Sequence, residues 1–200
     1  MTAATVDYYF APISPWTYLG HARFSAMTQA AGASVRVKPV DLSVIFPVSG
    51  GLPLGKRAPQ RQAYRLVELK RFSEHLGVPM IIQPAFFPAQ GNDAAQLIIA
   101  TDMAHGAAAA LDLAGRFGAA TWAQQRNIAD VAEQRTLLGE AGLPATLMDS
   151  AATPEVAARY AAYTEEARDA GVFGAPSYVV NGEIFWGQDR LDFVERRLRG

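Results

Sequence analysis

The sequence predicts an α/β fold in which the two ends of the chain share one sheet and an all-helical insertion separates them. Residues 5–40 read as strand, helix and strand, and residues 177–198 read as two strands and a helix. The patterned segments between these ends have helical spacing. We therefore divide the chain into a first part of the sheet domain (1–43), a helical insertion (44–152) and a second part of the sheet domain (153–200).

The N-terminal end begins with a short aromatic strand. Apolar and polar residues alternate over residues 5–10, and Pro12 ends the strand. Ser14 is a favourable N-cap, and Pro15 suits the first helical position because it has no amide hydrogen to leave unpaired. A helix should therefore begin directly after Ser14 and end at Gly32.

The next segments are a strand, a loop and a series of helices. Residues 34–40 alternate valines with Arg36 and Lys38, which indicates a half-exposed edge strand parallel to the first. Residues 42–59 are rich in Gly, Pro and Ser and predict an irregular loop that faces a ligand. Asn92 is a candidate helix cap. Helical patterns cover residues 60–76, 93–105, 107–117 and 121–135.

The C-terminal end predicts a hairpin between two helices. A helix over residues 155–170 follows the capping residue Thr153. Residues 177–180 and 183–186 are strand-like and joined by Asn181-Gly182, a strong hairpin signal. Asp189 is then the predicted N-cap of the last helix.

Composition excludes several classes of function. The 200 residues include no cysteine, so disulfides and cysteine nucleophiles are excluded, and three scattered histidines do not indicate a metal site. A net charge of −1 disfavours a nucleic-acid partner, and no apolar run is long enough to cross a membrane. The N-terminal residues lack the pattern of a signal peptide, so we expect a cytoplasmic protein.

Ser14 is the first candidate for chemistry. Its hydroxyl would lie at a helix N-terminus, beside unpaired amide donors that stabilise an anion such as a thiolate. Any thiol must be brought in from outside, since the chain has none. A Ser-Pro pair at a helix start is more often a plain structural cap, and both interpretations stay open at this point.

Two motifs resemble those of a known family. FAPISPWTYLG and GVFGAPSYVVNGEIFWGQDRL resemble the terminal signatures of 2-hydroxychromene-2-carboxylate isomerases and of the related kappa-class glutathione transferases. The arrangement also resembles the DsbA-type fold, and the resemblance covers most of the chain. It implies an α/β, thioredoxin-like fold with a large all-helical insertion, glutathione as the cofactor and a homodimer.

The resemblance also implies roles for individual residues. Ser14 is the catalytic hydroxyl, which hydrogen-bonds the thiol sulfur of glutathione. The backbone before a cis-proline pairs with the peptide part of glutathione, a Gln-Asp pair receives its γ-glutamyl end, and a tryptophan forms a wall of the site. The residues at these positions are Ala175, Pro176, Gln188, Asp189 and Trp186.

The loop after the second strand departs from the family pattern. Family members commonly have an asparagine there, but SGGLPLGKRAPQR has none. Lys56, Arg57, Arg61 and Arg65 instead form either a cationic wall for a carboxylate of glutathione or substrate, or a solvated helix face on which Glu68 screens Arg65. We select Arg61 as the cofactor-binding candidate.

Three aromatic residues have alternative interpretations. Phe86 and Phe87, which precede Pro88, either line an aromatic substrate pocket or pack in the core. Tyr18 either faces the sulfur or packs against neighbouring elements.

The leading functional hypothesis is a glutathione-dependent cis–trans isomerase. Its substrate would be 2-hydroxychromene-2-carboxylate or a related unsaturated aromatic carboxylate. The thiolate adds to a conjugated carbon, the former double bond rotates, and the thiolate leaves. The alternatives are a kappa-like glutathione transferase or peroxidase, and a non-catalytic thioredoxin-fold module that binds peptides beside the cis-proline.

Overall fold

The structure is a computed structural model that describes residues 4–199, and its strands form one mixed sheet. The strands are β1 (Thr5–Phe10), β2 (Ser34–Pro39), β3 (Ser177–Val180) and β4 (Glu183–Trp186). Their order is β2-β1-β3-β4, in which β1 runs parallel to β2 and antiparallel to β3. The two ends of the chain therefore share one sheet, as the sequence predicts.

Helices cover both faces of the sheet and make up the middle of the chain. Within the described residues they are α1 (Pro15–Ala30), α2 (Leu42–Ser49), α3 (Pro59–Leu76), α4 (Asn92–His105), α5 (Ala107–Trp122), α6 (Val131–Glu140), α7 (Leu147–Ala151), α8 (Pro154–Asp169) and α9 (Leu191–Arg199).

The core is built around the aromatic side chains of β1. The Tyr8 ring stacks on Phe10 and on Tyr178 of β3, with ring centroids 4.4 and 5.4 Å apart. Phe24 of α1 packs against Tyr8 from the helix side. Burial of these large rings supplies much of the hydrophobic stabilisation that holds α1 on the sheet.

The opposite face of the sheet is also covered, by α8. Tyr9 and Val179 pack there with Ala167 of α8 and with Val172. Strand β1 is therefore buried on both faces, including the face that carries Asp7. Asp7 is tolerated inside because it is paired with basic residues of the neighbouring strand.

Lys38 is the residue of β2 that departs most from the predicted half-exposed strand. β2 is an edge strand, as predicted, but Lys38 is buried beneath α8. Its Nζ lies 2.5 Å from Glu166 Oε2 and 3.0 Å from Asp7 Oδ1. Burial lowers the pKa of Lys38, but its hydrogen bonds to Glu166 and Asp7 outweigh burial, so the pKa is raised overall.

The C-terminal hairpin confirms a local prediction. Asn181 and Gly182 have φ angles of 52° and 80°, and strands β3 and β4 pair antiparallel on either side of them. Positive φ at both central residues is what a type I′ turn requires, and Asn-Gly adopts it readily.

The predicted loop at residues 42–59 is partly wrong. Residues Leu42–Ser49 form helix α2, and Leu54–Lys56 form a short 3₁₀ turn. The Asp41 side chain accepts a hydrogen bond from the Ser43 amide and caps α2, which Gly50 ends with a φ of 75°. This cap and the run of apolar residues outweigh the loss of one backbone hydrogen bond at Pro47.

The predicted helix over residues 121–135 is also wrong. Helix α5 continues to Trp122, and the next helix begins only at Val131, where the Asp130 side chain accepts from the Ala132 amide. Gln125 lies between them with a φ of 55°, which a helix does not allow. The short helix α7 has no counterpart in the sequence prediction.

Two predicted caps are corrected as well. Asn92 lies within α4, which begins after Gly91, and its Oδ1 accepts a hydrogen bond from the Tyr160 hydroxyl. Asp189 does not cap the last helix, because a 3₁₀ turn over Gln188–Arg190 precedes α9. In the part of the chain that the structure describes, no helix combines the length and the apolar character that crossing a membrane requires.

Candidate functional site

The sheet register brings the predicted site residues to one edge of the sheet. Tyr9 lies opposite Ser177, and Ser177 lies opposite Trp186. The end of β1, the start of β3 and the end of β4 therefore meet at this edge. Residues that flank these strand ends form what we call the sheet-edge site: Ser14, Ala175, Pro176, Trp186 and Asp189.

Ser14 is the N-cap of α1 and is largely buried. Its backbone is extended, with φ −73° and ψ 126°, and its Oγ accepts a hydrogen bond from the Thr17 amide at 3.3 Å. The Ser14 amide donates to the Ala11 carbonyl oxygen at 3.0 Å, which closes the turn after β1. Accepting from Thr17 leaves the hydroxyl hydrogen of Ser14 available to donate to a ligand.

The N-terminus of α1 suits an anion for further reasons. The first turn contains no acidic side chain, and Pro15 occupies the first helical position. The positive end of the helix dipole therefore has no carboxylate of its own helix nearby. A negative group beside the Ser14 hydroxyl would be stabilised by both the dipole and the hydrogen bond.

The Ala175-Pro176 peptide bond lies directly before β3 and is cis. The Pro176 carbonyl oxygen accepts a hydrogen bond from the Gly187 amide at 2.9 Å, and the Ser177 hydroxyl donates to the Gly174 carbonyl oxygen at 2.8 Å. These bonds hold the segment on both sides of Ala175. The β1–β3 pairing ends at Ser177, so Ala175 lies outside the ladder.

Trp186 stands at the rim of the sheet-edge site as half of an aromatic pair. Its ring centroid lies 4.7 Å from that of Phe173, and its side chain is 52% exposed. Gly174 underlies the indole, and a Cβ atom at that position would be 2.6 Å from Trp186 Nε1. The absence of a side chain at Gly174 therefore lets the indole lie against the segment before Pro176.

Gln188 and Asp189 face different surroundings. Gln188 is only 2% exposed, and Arg23 donates to its carbonyl oxygen at 2.8 Å and to its Oε1 at 2.5 Å. The Gln188 side chain is thus turned towards α1, where it lies against Gly20. Asp189 is exposed, and its Oδ2 pairs with Arg190 at 2.6 Å.

Of the basic residues on α3, Arg65 is buried and Arg61 is exposed. The Arg65 guanidinium carbon lies 5.2 Å from the ring centroid of Phe87 and 5.8 Å from that of Trp122. Within residues 4–199 it forms no ion pair, with Glu68 or any other acid. Burial, aided by the charge of Arg57, lowers the pKa of Arg65 to about 10.

The burial of Arg65 differs from the sequence prediction, which favours Arg61 as the binding residue. A signal is present in the sequence: Arg65 precedes Leu69 by four residues, and Leu69 lies on the buried stripe of α3. Residues four apart share one face of a helix. An arginine on an apolar stripe is therefore a candidate for a buried charge.

Trp122 connects the helical insertion to the turn before Ser14. Its Nε1–H donates to the Ile13 carbonyl oxygen at 3.2 Å, and its ring packs against Phe87 at 4.7 Å between centroids. A single layer of aromatic side chains therefore separates the Arg65 guanidinium from the backbone beside Ser14.

The structure shows the surroundings of Tyr18, Phe86 and Phe87. The Tyr18 hydroxyl donates to the Pro79 carbonyl oxygen at 2.6 Å, so Tyr18 packs within the structure, and burial raises its pKa. Phe87 packs against Trp122, whereas Phe86 is largely exposed. Both line a surface cavity of about 350 Å³ together with Pro88, Ala89 and Asn127.

Among residues 4–199, no three His, Asp or Glu side chains are grouped closely enough to hold a metal ion. The polar groups at the sheet edge are instead a hydroxyl, backbone amides and an exposed carboxylate. This set suits a small organic ligand with a thiol or another anionic group.

Comparison with known proteins agrees with this arrangement. A family model described as "DSBA-like thioredoxin domain" matches residues 5–199. The chain is 28% identical to a 2-hydroxychromene-2-carboxylate isomerase of Sphingobium xenophagum, with 97% of each chain covered. It is 27% identical to one of Pseudomonas putida, with 96% and 93% covered.

A solved structure of a 2-hydroxychromene-2-carboxylate isomerase aligns with a TM-score of 0.81 and 25% identity, over 98% of this chain and 94% of that one. The prediction of a thioredoxin-like fold with a large helical insertion is confirmed.

Proposed function

Because this chain belongs to the family of DSBA-like thioredoxin domains, we propose that it is a glutathione-dependent isomerase of aromatic-ring catabolism. Its substrate would be 2-hydroxychromene-2-carboxylate or a related unsaturated aromatic carboxylate. Full-length similarity to proteins named for that isomerisation supports the proposal.

The residues at the sheet-edge site fit glutathione. A thiol sulfur needs a hydrogen-bond donor, and the Ser14 hydroxyl has its hydrogen available while its Oγ accepts from Thr17. The peptide part of glutathione needs a backbone partner, and Ala175 lies just beyond the end of the β1–β3 pairing. The α-ammonium needs an exposed carboxylate, which Asp189 supplies.

Bound glutathione would supply a thiol sulfur that can add to a conjugated carbon and leave again. The Ser14 hydroxyl would donate to that sulfur, and together with the positive end of the α1 dipole it would favour the thiolate over the thiol, whose pKa in water is about 8.5. Ser14 keeps its own proton throughout, because it acts as a donor and not as a base. Trp186, which packs against Phe173 at the rim of the site, would form one of its walls.

The observation that carries the proposal is the position of the Ser14 hydroxyl. It lies at a helix N-terminus without an acidic first turn, at the same sheet edge as Ala175 and Pro176. The chain has no cysteine that would make this a redox site. The Ser14 hydroxyl acts as a hydrogen-bond donor and not as a nucleophile. This suits a reaction in which glutathione supplies the thiol and is regenerated unchanged.

The test is turnover of 2-hydroxychromene-2-carboxylate, followed by absorbance, with glutathione at a small fraction of the substrate concentration. We expect many turnovers per glutathione, with the free thiol unchanged when the reaction ends. Loss of one thiol per turnover would contradict the isomerase and indicate a transferase. Absence of turnover with glutathione present would contradict 2-hydroxychromene-2-carboxylate as the substrate.

Binding is tested separately by thermal unfolding. A ligand that binds only the native state stabilises it by about 2.7 kcal/mol at 100 times its Kd. Glutathione should therefore raise the midpoint, and S-methylglutathione should raise it less because its sulfur cannot become a thiolate. No shift at millimolar glutathione would contradict glutathione as the cofactor.

We also propose a cytoplasmic location and a homodimer. The cytoplasm suits the proposed chemistry because glutathione there is kept in its reduced thiol form. The homodimer is an implication of the family resemblance. Sedimentation equilibrium should give twice the mass of one chain, and a single-chain mass at micromolar concentration would contradict it.

A further inference from the structure

The position of Gln188 differs from the role that the family resemblance implies for it. Gln188 is only 2% exposed, and its Oε1 accepts a hydrogen bond from Arg23 Nη2 at 2.5 Å. The same Arg23 nitrogen donates to the Gln188 carbonyl oxygen at 2.8 Å. Helix α1 therefore holds both the side chain and the backbone of Gln188, and the amide oxygen is already occupied by a protein donor.

Helix α1 also approaches Gln188 closely at Gly20. A Cβ atom at Gly20 would lie 2.8 Å from the Gln188 Cβ and 3.2 Å from the Tyr178 hydroxyl oxygen. Residues three apart share one face of a helix, so Gly20 and Arg23 meet Gln188 with the same face of α1. The missing side chain at Gly20 permits the close approach, and Arg23 supplies the hydrogen bonds that hold it.

Gln188 belongs to the turn that carries Asp189, and we call residues 187–190 the Asp189 turn. On the sheet side, the Gly187 amide donates to the Pro176 carbonyl oxygen at 2.9 Å. Within the turn, the Arg190 amide donates to the Gly187 carbonyl oxygen at 3.2 Å. The Asp189 turn is therefore fixed between the start of β3 and helix α1, and Arg23 makes the helix side of this attachment.

Arg23 holds the Asp189 turn without neutralising its carboxylate. Burial raises the pKa of Tyr178, the charge of Arg23 lowers it and the charge of Asp189 raises it, so both charges lie near this one hydroxyl. Among residues 4–199, however, Arg23 forms no ion pair with Asp189 or any other acid. The contact runs through Gln188, and the exposed Asp189 carboxylate can still meet a ligand ammonium.

The same helix carries Ser14 at its N-terminus. Ser14 caps α1, and Arg23 lies further along it, about 1.5 Å of helix axis per residue. The helix therefore sets the separation between the Ser14 hydroxyl and the Asp189 turn. Glutathione, as proposed, would meet Ser14 with its sulfur and Asp189 with its α-ammonium, so α1 would position the partners of both groups.

We propose that Arg23 is a positioning residue for recognition of the α-ammonium of glutathione, and that it acts through Gln188 on Asp189. This inference deepens the proposed function and rests on it. Gln188 is the link between α1 and the Asp189 turn, and not a direct contact of the γ-glutamyl end. Loss of Arg23 should therefore loosen Asp189 and leave the Ser14 end of the site unchanged.

The test is isothermal titration calorimetry on the full chain with glutathione and with glutaryl-cysteinylglycine, which lacks only the α-amino group. The unmodified chain should bind glutathione more tightly, because only glutathione presents an ammonium to Asp189. Arg23→Gln should weaken glutathione about 5- to 10-fold, as loss of a charge-assisted hydrogen bond to the turn allows, and change the analogue less than about 2-fold. Arg23→Lys keeps a charged donor and should restore part of the glutathione affinity.

Arg168→Gln is the control, because Arg168 is exposed on α8 and pairs there with Glu165. It should leave both affinities unchanged. Equal weakening of the two ligands in Arg23→Gln, or no change in either, would overturn the positioning role. Equal binding of the two ligands by the unmodified chain would overturn it as well.

A double-mutant cycle distinguishes a link from a direct contact at Gln188. Gln188→Ala should weaken glutathione about as much as Arg23→Gln does. The double variant should bind no more weakly than the weaker single variant, because both changes break the same link. Losses that multiply in the double variant would show that Gln188 contacts glutathione itself, and would overturn the proposal.

These binding measurements do not depend on turnover. Glutathione binding that requires Arg23, in a protein that does not isomerise 2-hydroxychromene-2-carboxylate, would contradict the proposed substrate and leave the positioning role standing. Turnover by Arg23→Gln with an unchanged KM for glutathione would refute only the positioning role. A chain that binds neither ligand would refute both glutathione as the cofactor and the role of Arg23.

Discussion

Trp122 donates its indole Nε1–H to the carbonyl oxygen of Ile13 at 3.2 Å, and this bond joins the helical insertion to the turn that ends at Ser14. Trp122 is the last residue of α5 and is completely buried. The insertion is therefore more than a cover for the sheet, because it fixes the backbone immediately before the N-cap of α1.

Replacement of Trp122 with Phe tests this connection. Trp122→Phe removes the hydrogen bond to Ile13 and part of a buried ring, so the free energy of unfolding should fall by about 1–3 kcal/mol. Glutathione affinity should fall as well, because the Ser14 turn loses a fixed point. Urea unfolding and calorimetry measure the two effects.

Leu138→Ala on α6 is the control for destabilisation alone, since Leu138 is fully buried. It should lower stability by about 2–5 kcal/mol and leave glutathione affinity unchanged. Equal affinity in the unmodified chain and in Trp122→Phe would show that the turn does not depend on the indole.

The capping role of Ser14 and its role as a hydrogen-bond donor can be separated by comparison with Thr153. Both side chains cap a helix, α1 and α8 respectively, by accepting from the amide three residues ahead. Ser14→Ala and Thr153→Ala should each lower the free energy of unfolding by about 1 kcal/mol. Only Ser14→Ala should also reduce kcat/KM, by about 100-fold, as removal of a donor to a developing anion does.

Steady-state kinetics at saturating glutathione distinguish the capping role of Ser14 from its role as a donor. Normal turnover by Ser14→Ala would leave Ser14 with the capping role alone. A matching loss in Thr153→Ala would mean that helix stability, and not the hydroxyl at the sheet edge, limits the reaction.

Features that depend on neighbouring residues were predictable from the sequence. The Asn181-Gly182 hairpin and the Ser14-Pro15 helix start follow from local backbone preferences, and both occur as predicted. Other local predictions fail: glycines and prolines favour a loop where Asp41 caps helix α2, and Asn92 and Asp189 do not cap the helices they were expected to start. Competing local signals differ by about 1 kcal/mol or less, so tertiary packing decides between them.

Features that depend on distant residues were not predictable. Lys38 reads as an exposed strand residue, but Glu166 of α8, which is 128 positions away, covers it. Arg65 reads as part of a charged helix face, yet Phe87 and Trp122 bury it. The pattern of residues along one helix or strand shows which side chains share a face. The element that packs against that face is determined by the tertiary fold.

Gly174 provides a test of the position of Trp186. A Cβ atom at Gly174 would approach the Trp186 Nε1 atom to 2.6 Å, so Gly174→Ala should displace the half-exposed indole from the site. We expect a change in Trp186 fluorescence and weaker glutathione binding, with stability nearly unchanged because the indole is free to move outward. Gly55→Ala is the control, since a Cβ there meets no atom within 4 Å. Unchanged glutathione affinity in Gly174→Ala would contradict a role for Trp186 as a wall of the site.

The buried His21 should make the free energy of unfolding depend on pH. His21 Nε2–H donates to the Leu111 carbonyl oxygen at 2.8 Å, and in the neutral imidazole Nδ1 accepts from the Tyr8 hydroxyl at 3.1 Å. Burial lowers the pKa of His21, although the bond to Leu111 opposes this. The His21 imidazole therefore binds a proton less readily in the folded state than in the unfolded state, where its pKa is about 6.5.

The sign of the effect follows from this difference. Below about pH 6.5 the unfolded state binds one more proton than the folded state, so His21 lowers the free energy of unfolding by up to about 1.4 kcal/mol per pH unit until its folded pKa is reached. Urea unfolding at pH 7 and pH 5 should show a smaller loss of stability in His21→Gln than in the unmodified chain, although the variant starts less stable. His75→Gln, at an exposed position, should keep the loss of the unmodified chain. Equal losses in the unmodified chain and in His21→Gln would mean that the buried imidazole takes up its proton in the folded state as readily as in the unfolded state.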